Sequence, residues 1–411
     1  MARQVLVIGH SVGLLDALAR IGSEAVGVYL LVEPSVLAAH PGEFDHAVVT
    51  EIRTGRFIFS EEAVGIGVEW HARVGFDAVL PGKEHAVRAA AQIASKLGMG
   101  YPGDQAVAAC TDKLEFRRVL AAAGIASPRF GPVRDVAEVA RFFDDGGAAP
   151  IVLKPRNRNG SLGVRHIGER GEIAHAWAQS VGTDEGIYKP LDRVLEFDYL
   201  VEDYLSGPEF SVELLVSQGR IVFTNITAKT VGELPWFAEM SHRVPAVVPD
   251  PLRDLLLEGG RGLVSALAVQ DGLLHSEWRI HDGQAYPIEC AVRFPGDRIG
   301  WLIELVYEFN LAQAWLACLD HTQSVITASP GRCAATQFLN AAPGKVVAVH
   351  CLETVVAEHD VREMVVPRPG EIVAEARDSH SRTGFAVLTA ENQTALQAAI
   401  DDFAAIRVET R

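Results

Sequence analysis

At 411 residues, with 48% hydrophobic and 22% charged side chains, the chain has an ordinary globular composition, and its length predicts two or three domains. A formal net charge of −16 argues against nucleic acid as a partner and requires any anionic substrate to find a local basic site. No run approaches the roughly 20 apolar residues of a membrane helix. The five cysteines form no C-x-x-C pair and the N-terminus has no signal-peptide stretch, so a reducing, cytoplasmic setting is expected, with no membrane association.

Strand and helix signals alternate along the first hundred residues. Gln4–Ile8 reads as a strand, Val12–Ile21 as a helix and Ala25–Leu31 as a strand; Ala47–Thr50, Glu61–Val74, Ala78–Leu80 and His85–Leu97 continue the alternation. Continuous apolar strands with helices between them indicate a parallel, helix-covered sheet. A helix follows over Asp112–Ala123 and stops at Gly124. Ile151–Ile167 reads as strand–loop–strand, Glu172–Ser180 as a helix, and Tyr199–Leu205, Glu209–Val216 and Ile221–Thr227 as strands. Leu252–Val269 is a long helix leading into a hairpin, and Ile299–Leu319 reads as one further helix. Short strands around Ala334–Leu339, Val346–Glu353 and Gly384–Thr389 precede a last helix over Glu391–Ile406.

The hairpin, Leu273–Asp297, is the most informative stretch. Two strand-like segments flank His281-Asp282-Gly283-Gln284, and each carries one carboxylate, Glu277 and Glu289. On a regular ladder, a turn of Asp282-Gly283 alone sends these acids to opposite faces. A three- or five-residue loop centred on Gly283 sets them directly across from each other. It also pairs Trp278 with Ile288, Ile280 with Tyr286 and Ser276 with Cys290, giving a largely apolar back face. That register is the expected one. Because facing like charges destabilise a bare sheet, a hard cation, Mg²⁺ before others, is expected between the carboxylates and a polyphosphate.

Three other segments carry chemistry. In IVLKPRNRNGSLGVRHI (151–167) a buried strand delivers Lys154, and Asn159, Gly160, Ser161 and Gly163 form a small-residue loop whose N–H groups can approach phosphate oxygens. A hairpin with a solvated lysine accounts for this segment equally well, and it is not a Walker A loop. In LVEDYLSGPEFSVELLV (200–216) an apolar turn suits a planar base and Glu209 suits ribose hydroxyls, although two antiparallel strands with exposed acids are the simpler account of that segment alone. Gly9–Gly13, GHSVG, matches a nucleophile elbow literally, but it follows the first strand and reads as an ordinary strand-to-helix turn.

Taken together and in this order, the motifs resemble the ATP-grasp superfamily of carboxylate–amine ligases over nearly the whole chain. The resemblance implies an α/β fold: a Rossmann-like first domain (1–110), an α+β nucleotide-binding lid (111–205), and a central mixed or antiparallel sheet (206–411) with a C-terminal subdomain from about 330. It implies ATP bound by Lys113, Lys154, the loop Asn159–Gly163, the hinge from Glu202 to Leu205 and Glu209, with Mg²⁺, or Mn²⁺ in its place, on Glu277 and Glu289. Arg293 matches the arginine that steadies an acyl phosphate. The family often has Asn at the position of Ala291, so one of two magnesium sites is expected to be weaker or completed by water. Within the superfamily, Phe237–Ala246 and Pro81–Glu84 resemble L-amino acid ligases and carnosine-synthase-type enzymes, which implies Glu84, Glu239 and His242 facing an amino-acid substrate. Glu239 and His242, three residues apart, share a face if that segment is helical, while Pro235 and Pro245 suit a loop equally well. The implied reaction is ATP-dependent amide formation through an acyl phosphate between a small carboxylate and an amine, both expected to be amino acids. A carrier-protein thiol as acceptor, or a regulatory binding protein without ligase activity, are the alternatives, and a homodimer is compatible with the resemblance.

Overall fold

The computed structural model describes residues 2–184, 189–232 and 234–411. The first sheet is parallel throughout, in the order Val49–Thr54, Val26–Val32, Arg3–Ile8, Ala78–Pro81. Strand order reverses between the last two, and ligands of open α/β sheets bind at such a switch point, beyond the carboxyl ends of the strands. Two turns therefore meet there: His10 and Ser11 after the first strand, and Gly82, Lys83 and Glu84 after the last. The approach is so close that a Cβ on Gly82 would lie 2.1 Å from the carbonyl oxygen of Gly9. Ser11 is a helix cap, its side chain accepting from Leu14 N, which fits a turn rather than a nucleophile.

The second sheet is antiparallel, in the order Phe130–Val133, Tyr199–Asp203, Ile151–Pro155, Arg165–Ile167. Helices Val136–Asp145 and Ile173–Val181 cover it with Val139, Phe143, Ile173 and Ala176. The third sheet has eight antiparallel strands: Gln284–Ala291, Gly272–His281, Glu209–Ser217, Arg220–Val231, Glu239–Val244, Cys333–Leu339, Gly384–Ala390 and Asp360–Val365. The C-terminal part thus continues the central sheet edge to edge, through pairing of Glu239–Val244 with Cys333–Leu339. A small sheet of Ile372–Val373, Gly344–His350 and Arg407–Thr410 closes the tail. Among the described residues no single helix is long and apolar enough to cross a membrane.

Three expectations are corrected. Ile299–Leu319 is two helices, Ile299–Tyr307 and Leu311–Leu319, bent by 98°. Glu308, at φ 57°, ends the first in the left-handed region, and Asn310 caps the second by accepting from Gln313 N. Val346–Glu353 does not stay extended: the strand ends at His350 and Leu352–Glu358 is helical. Glu239–Val244, bracketed by Pro235 and Pro245, is a strand rather than a loop or helix.

One side chain joins the second sheet to the third. Helix Lys113–Ala122, capped by Asp112, presents Arg117, which is wholly buried. Its Nε and Nη2 donate to Glu202 at 2.6 and 3.1 Å, Nη1 to Pro287 O at 2.6 Å and Nη2 to Ile288 O at 2.9 Å. Removing one member of a buried ion pair costs about 3–5 kcal/mol, because the remaining charge loses its partner. Arg117→Met is therefore expected to lower the melting temperature by several degrees with both sheets otherwise intact. A melting curve superimposable on that of the wild type would contradict this role.

Candidate active site

The hairpin reaches the expected pairing of its acids by an unexpected route. Its turn is the two residues Asp282-Gly283, at φ 48° and 77°, so His281 faces Gln284, Ile280 faces Ala285 and Trp278 faces Pro287. An extra residue, Ile288, then bulges from the ladder, after which Glu277 faces Glu289 and Ser276 faces Cys290. The predicted pairs Trp278–Ile288 and Ile280–Tyr286 are thus replaced, because regular alternation does not anticipate a bulge. Arg117 accounts for the bulge: it binds the carbonyls of Pro287 and Ile288 at that point.

Cations gather around the two acids. Lys113 Nζ lies 3.0 Å from Glu289, and Lys229 Nζ 2.6 Å from Glu277. Lys229, buried on Arg220–Val231 two strands from Glu277, also pairs with Glu239 and lies 3.5 Å from Glu209. Burial alone would lower its pKa, but these carboxylates hold it well above the usual lysine value. His275 bridges Glu277, at 3.3 Å, and the fully buried Glu213, at 2.9 Å. Glu213 is fixed in turn by Ser211, Asn225 and Thr227. Burial opposes charge on His275, yet its bonds to the two acids outweigh it and bring the pKa up to about 9.

A cavity of about 110 Å³ lies between the second and third sheets. Val152, Leu205, Phe237 and Ile288 give it an apolar slot suited to a planar base, while Lys113, Lys154, Glu202 and Glu209 supply the charges. Lys154 Nζ sits 2.6 Å from Glu202, which it shares with Arg117. Burial pulls Lys154 down to about 8 against the attraction of Glu202. Glu202 itself is held down to about 2, the two cations overcoming the opposite effect of its burial. Glu209 receives Arg279 at 2.9 Å, and Arg279 also donates to Leu205 O. Gly160, Ser161 and Gly163 all have positive φ, and Ser161 Oγ donates to Phe237 O at 3.0 Å.

A second cavity, of about 320 Å³, opens toward the switch point of the first sheet. Its wall includes Lys83, Glu84, Glu239, Arg293, Asp297 and Arg382. Arg293 Nε donates to Glu84 at 2.8 Å, joining two residues 209 positions apart. Glu239 and His242 lie three apart on a strand, a spacing that normally puts them on opposite faces. A bulge at Met240, where Thr230 faces Ser241 and Val231 faces Glu239, turns both toward Lys229. Only Glu239 reaches the cavity wall. His242 is wholly buried behind it, 3.1 Å from Asp297, which Arg382 also clamps. Gly163 likewise lies off both walls, and its carbonyl accepts from Ser180.

Asn159, Gly160, Glu239, Glu277 and Glu289 line both cavities, so the facing acids stand where the two spaces meet. Two convergent carboxylates are the donors a hard divalent cation takes, whereas the methyl of Ala291 is no donor. The residues present therefore fit such a cation, with lysines already balancing part of their charge.

Comparison with known proteins agrees with this architecture. A family model described as ATP-grasp domain matches residues 147–300, and one described as L-amino acid ligase C-terminal domain 2 matches residues 337–411. The L-arginine-specific L-amino acid ligase of Bacillus subtilis is 25% identical over 256 residues, covering 62% of this chain and 60% of that protein. An alanine–anticapsin ligase of Bacillus subtilis is 26% identical over 275 residues, covering 63% and 57%. The chain thus spans about three-fifths of the length of each of these curated relatives. The crystal structure of an L-amino acid ligase from Bacillus licheniformis superposes with a TM-score of 0.82 at 19% identity, covering 100% of this chain and 99% of that one, which shows the fold. Residues 147–300 thus match the ATP-grasp domain and residues 337–411 the C-terminal domain 2 of the L-amino acid ligases, on a chain with the fold of an L-amino acid ligase.

Proposed function

We propose that the protein is an ADP-forming ligase that activates the carboxylate of an amino acid with ATP and joins it to an amine, giving a dipeptide-type amide. The observation that carries this reading is the shared wall. Phosphoryl transfer to a carboxylate needs the γ-phosphate and the acid in one space, with charge compensation between them. Glu277 and Glu289 stand at that junction.

In this reading Lys113 and Lys154 offset phosphate charge, the loop 159–163 covers it, and Glu209 receives the ribose. Val152, Leu205 and Ile288 hold the base. Mg²⁺, or Mn²⁺ in its place, held by Glu277 and Glu289, would shield the charge that builds up on the transferred group. Arg293, kept in position by Glu84, faces the acid being activated. Glu239 presents a carboxylate to the substrate ammonium, which needs an opposite charge once partly desolvated. His242 acts through Asp297 and the strand it lies on rather than by contact. The setting we infer is cytoplasmic.

Loss of a charge-assisted contact costs about 1.5–3 kcal/mol, or roughly 10- to 150-fold in affinity. Lys154→Met is therefore expected to weaken nucleotide binding by that factor in calorimetry; unchanged affinity would remove Lys154 from the nucleotide site. Because charge on Lys154 is lost as pH rises through about 8, nucleotide affinity should also fall above that value in the wild type and not in the variant. A panel of amino-acid pairs assayed for ATP-dependent phosphate release identifies the substrates. On the best pair, Glu239→Gln is expected to raise KM for the activated amino acid by roughly 10- to 150-fold while leaving KM for ATP within about two-fold. Equal changes in both would place the ammonium site elsewhere.

A further inference from the structure

Resting on that ligase reading, we infer that His380 is the general base that takes the proton from the attacking ammonium group. A substrate amine at neutral pH is mostly protonated and has no lone pair to give, so the second half of the reaction needs a proton acceptor beside the acyl phosphate. His380 comes from the C-terminal part, on the turn between the small sheet and Gly384–Ala390. It lines the larger cavity opposite the turns of the first sheet.

Its placement follows from three contacts. The backbone N of Ser379 donates to Gly160 O at 3.2 Å, fastening this turn to the phosphate loop. A Cβ on Gly160 would lie 2.8 Å from His380 Nε2, so the imidazole rests directly over that loop. Arg382 donates to Glu239 O and to Asp297, anchoring the turn on its other side. Neither ring nitrogen of His380 has a hydrogen-bond partner among the described residues, and the ring is open to the cavity. The other histidines are less suited: His275 is held as a cation between two acids, His242 is committed to Asp297, His85 packs its ring against Phe59 and Phe197, and burial pushes His10 down to about 4, too weak a base.

The groups facing His380 are Asp378 on its own turn, Lys83 from the turn after Ala78–Pro81, Asp297 after the strand Gln284–Ala291, and Arg382. Packing around the ring, with the two cations, outweighs the acids and holds its pKa below the ordinary histidine value, so it is neutral and ready to accept at pH 7. In the step, one N–H proton passes to Nε2 and the freed lone pair forms the C–N bond. The carbonyl C–O bond to phosphate then breaks, its electron pair leaving with the phosphate oxygen. The second N–H proton goes to the departing phosphate, and the imidazolium returns its proton to solvent through the open cavity.

Hydroxylamine separates this step from activation, because it is largely unprotonated at neutral pH and traps an acyl phosphate as hydroxamate without a base. His380→Asn, with His380→Gln as a second variant, should keep ATP- and acid-dependent hydroxamate formation within about three-fold of the wild type. Amide formation with the amine from the best pair should fall by on the order of 10²-fold at pH 7. It should recover toward the wild-type rate near about pH 9.5, where the amine loses its own proton. Hydroxamate and amide falling together, no change in either, or a loss that does not recover at high pH would overturn the assignment. So would a selective, pH-dependent loss in Lys83→Met but not in the His380 variants, because Lys83 lines the same cavity and burial pushes it down to about 7. A wild type that forms neither product would refute the ligase reading itself, and the role of His380 with it.

Discussion

Two carboxylates facing each other across a strand pair repel, and the architecture of this protein is arranged around keeping Glu277 and Glu289 charged and together. At 4 Å, like charges cost about 4 kcal/mol at an effective dielectric of 20, too much for a sheet to absorb without compensation. Compensation comes from three separate elements. Lys113 starts the helix Lys113–Ala122, Lys229 lies two strands from Glu277, and His275, held as a cation by Glu213, pairs with Glu277. Arg117 holds the bulge that sets the register, and the same guanidinium neutralises Glu202 beside Lys154. Charge balance, strand register and packing between the two sheets are therefore one problem with a common solution.

The facing pair was legible in the chain because side chains alternate with period two, and the apolar back face of Trp278, Ser276 and Cys290 admits one phase. The route to it was not. A bulge adds a residue at a point that local propensity does not mark, and its cause, Arg117, lies 170 positions away. The same limit hid Lys229, one of seven lysines, until its side chain is seen among three acids. It also hid the pairing of Arg293 with Glu84, which needs two sheets to be brought together. Glu239 and His242 share a face through a bulge at Met240, which neither a helical turn nor a loop anticipates from their three-residue spacing. Helical punctuation inside Ile299–Leu319 was underweighted, since Glu308 in the left-handed region is not encoded by an obvious glycine.

Strand order explains why function gathers where it does. The reversal between Arg3–Ile8 and Ala78–Pro81 brings two loops to one crevice, and Glu239, Glu277 and Glu289 of the eight-stranded sheet line the same cavity as those loops. Continuation of the same sheet into Cys333–Leu339 and Gly384–Ala390 lets the tail place Ser379, His380 and Arg382 on the opposite wall. The larger cavity is thus lined by both ends of the chain, by the acids of the central sheet and by the loop 159–163. In the proposed reaction, a wall assembled from separate parts of the chain would hold the activated acid and the incoming amine away from water.

The most direct test of the central claim, that the two cavities meet at a carboxylate being phosphorylated, is oxygen transfer. An amino acid carrying oxygen-18 in its carboxylate, turned over with ATP and the amine partner, should deliver one labelled oxygen to the released phosphate, read by mass spectrometry. That label marks an acyl phosphate formed at the junction of Glu277 and Glu289. Amide and ADP accumulating with unlabelled phosphate would contradict the account, because the carboxylate oxygen would then never have been joined to phosphorus.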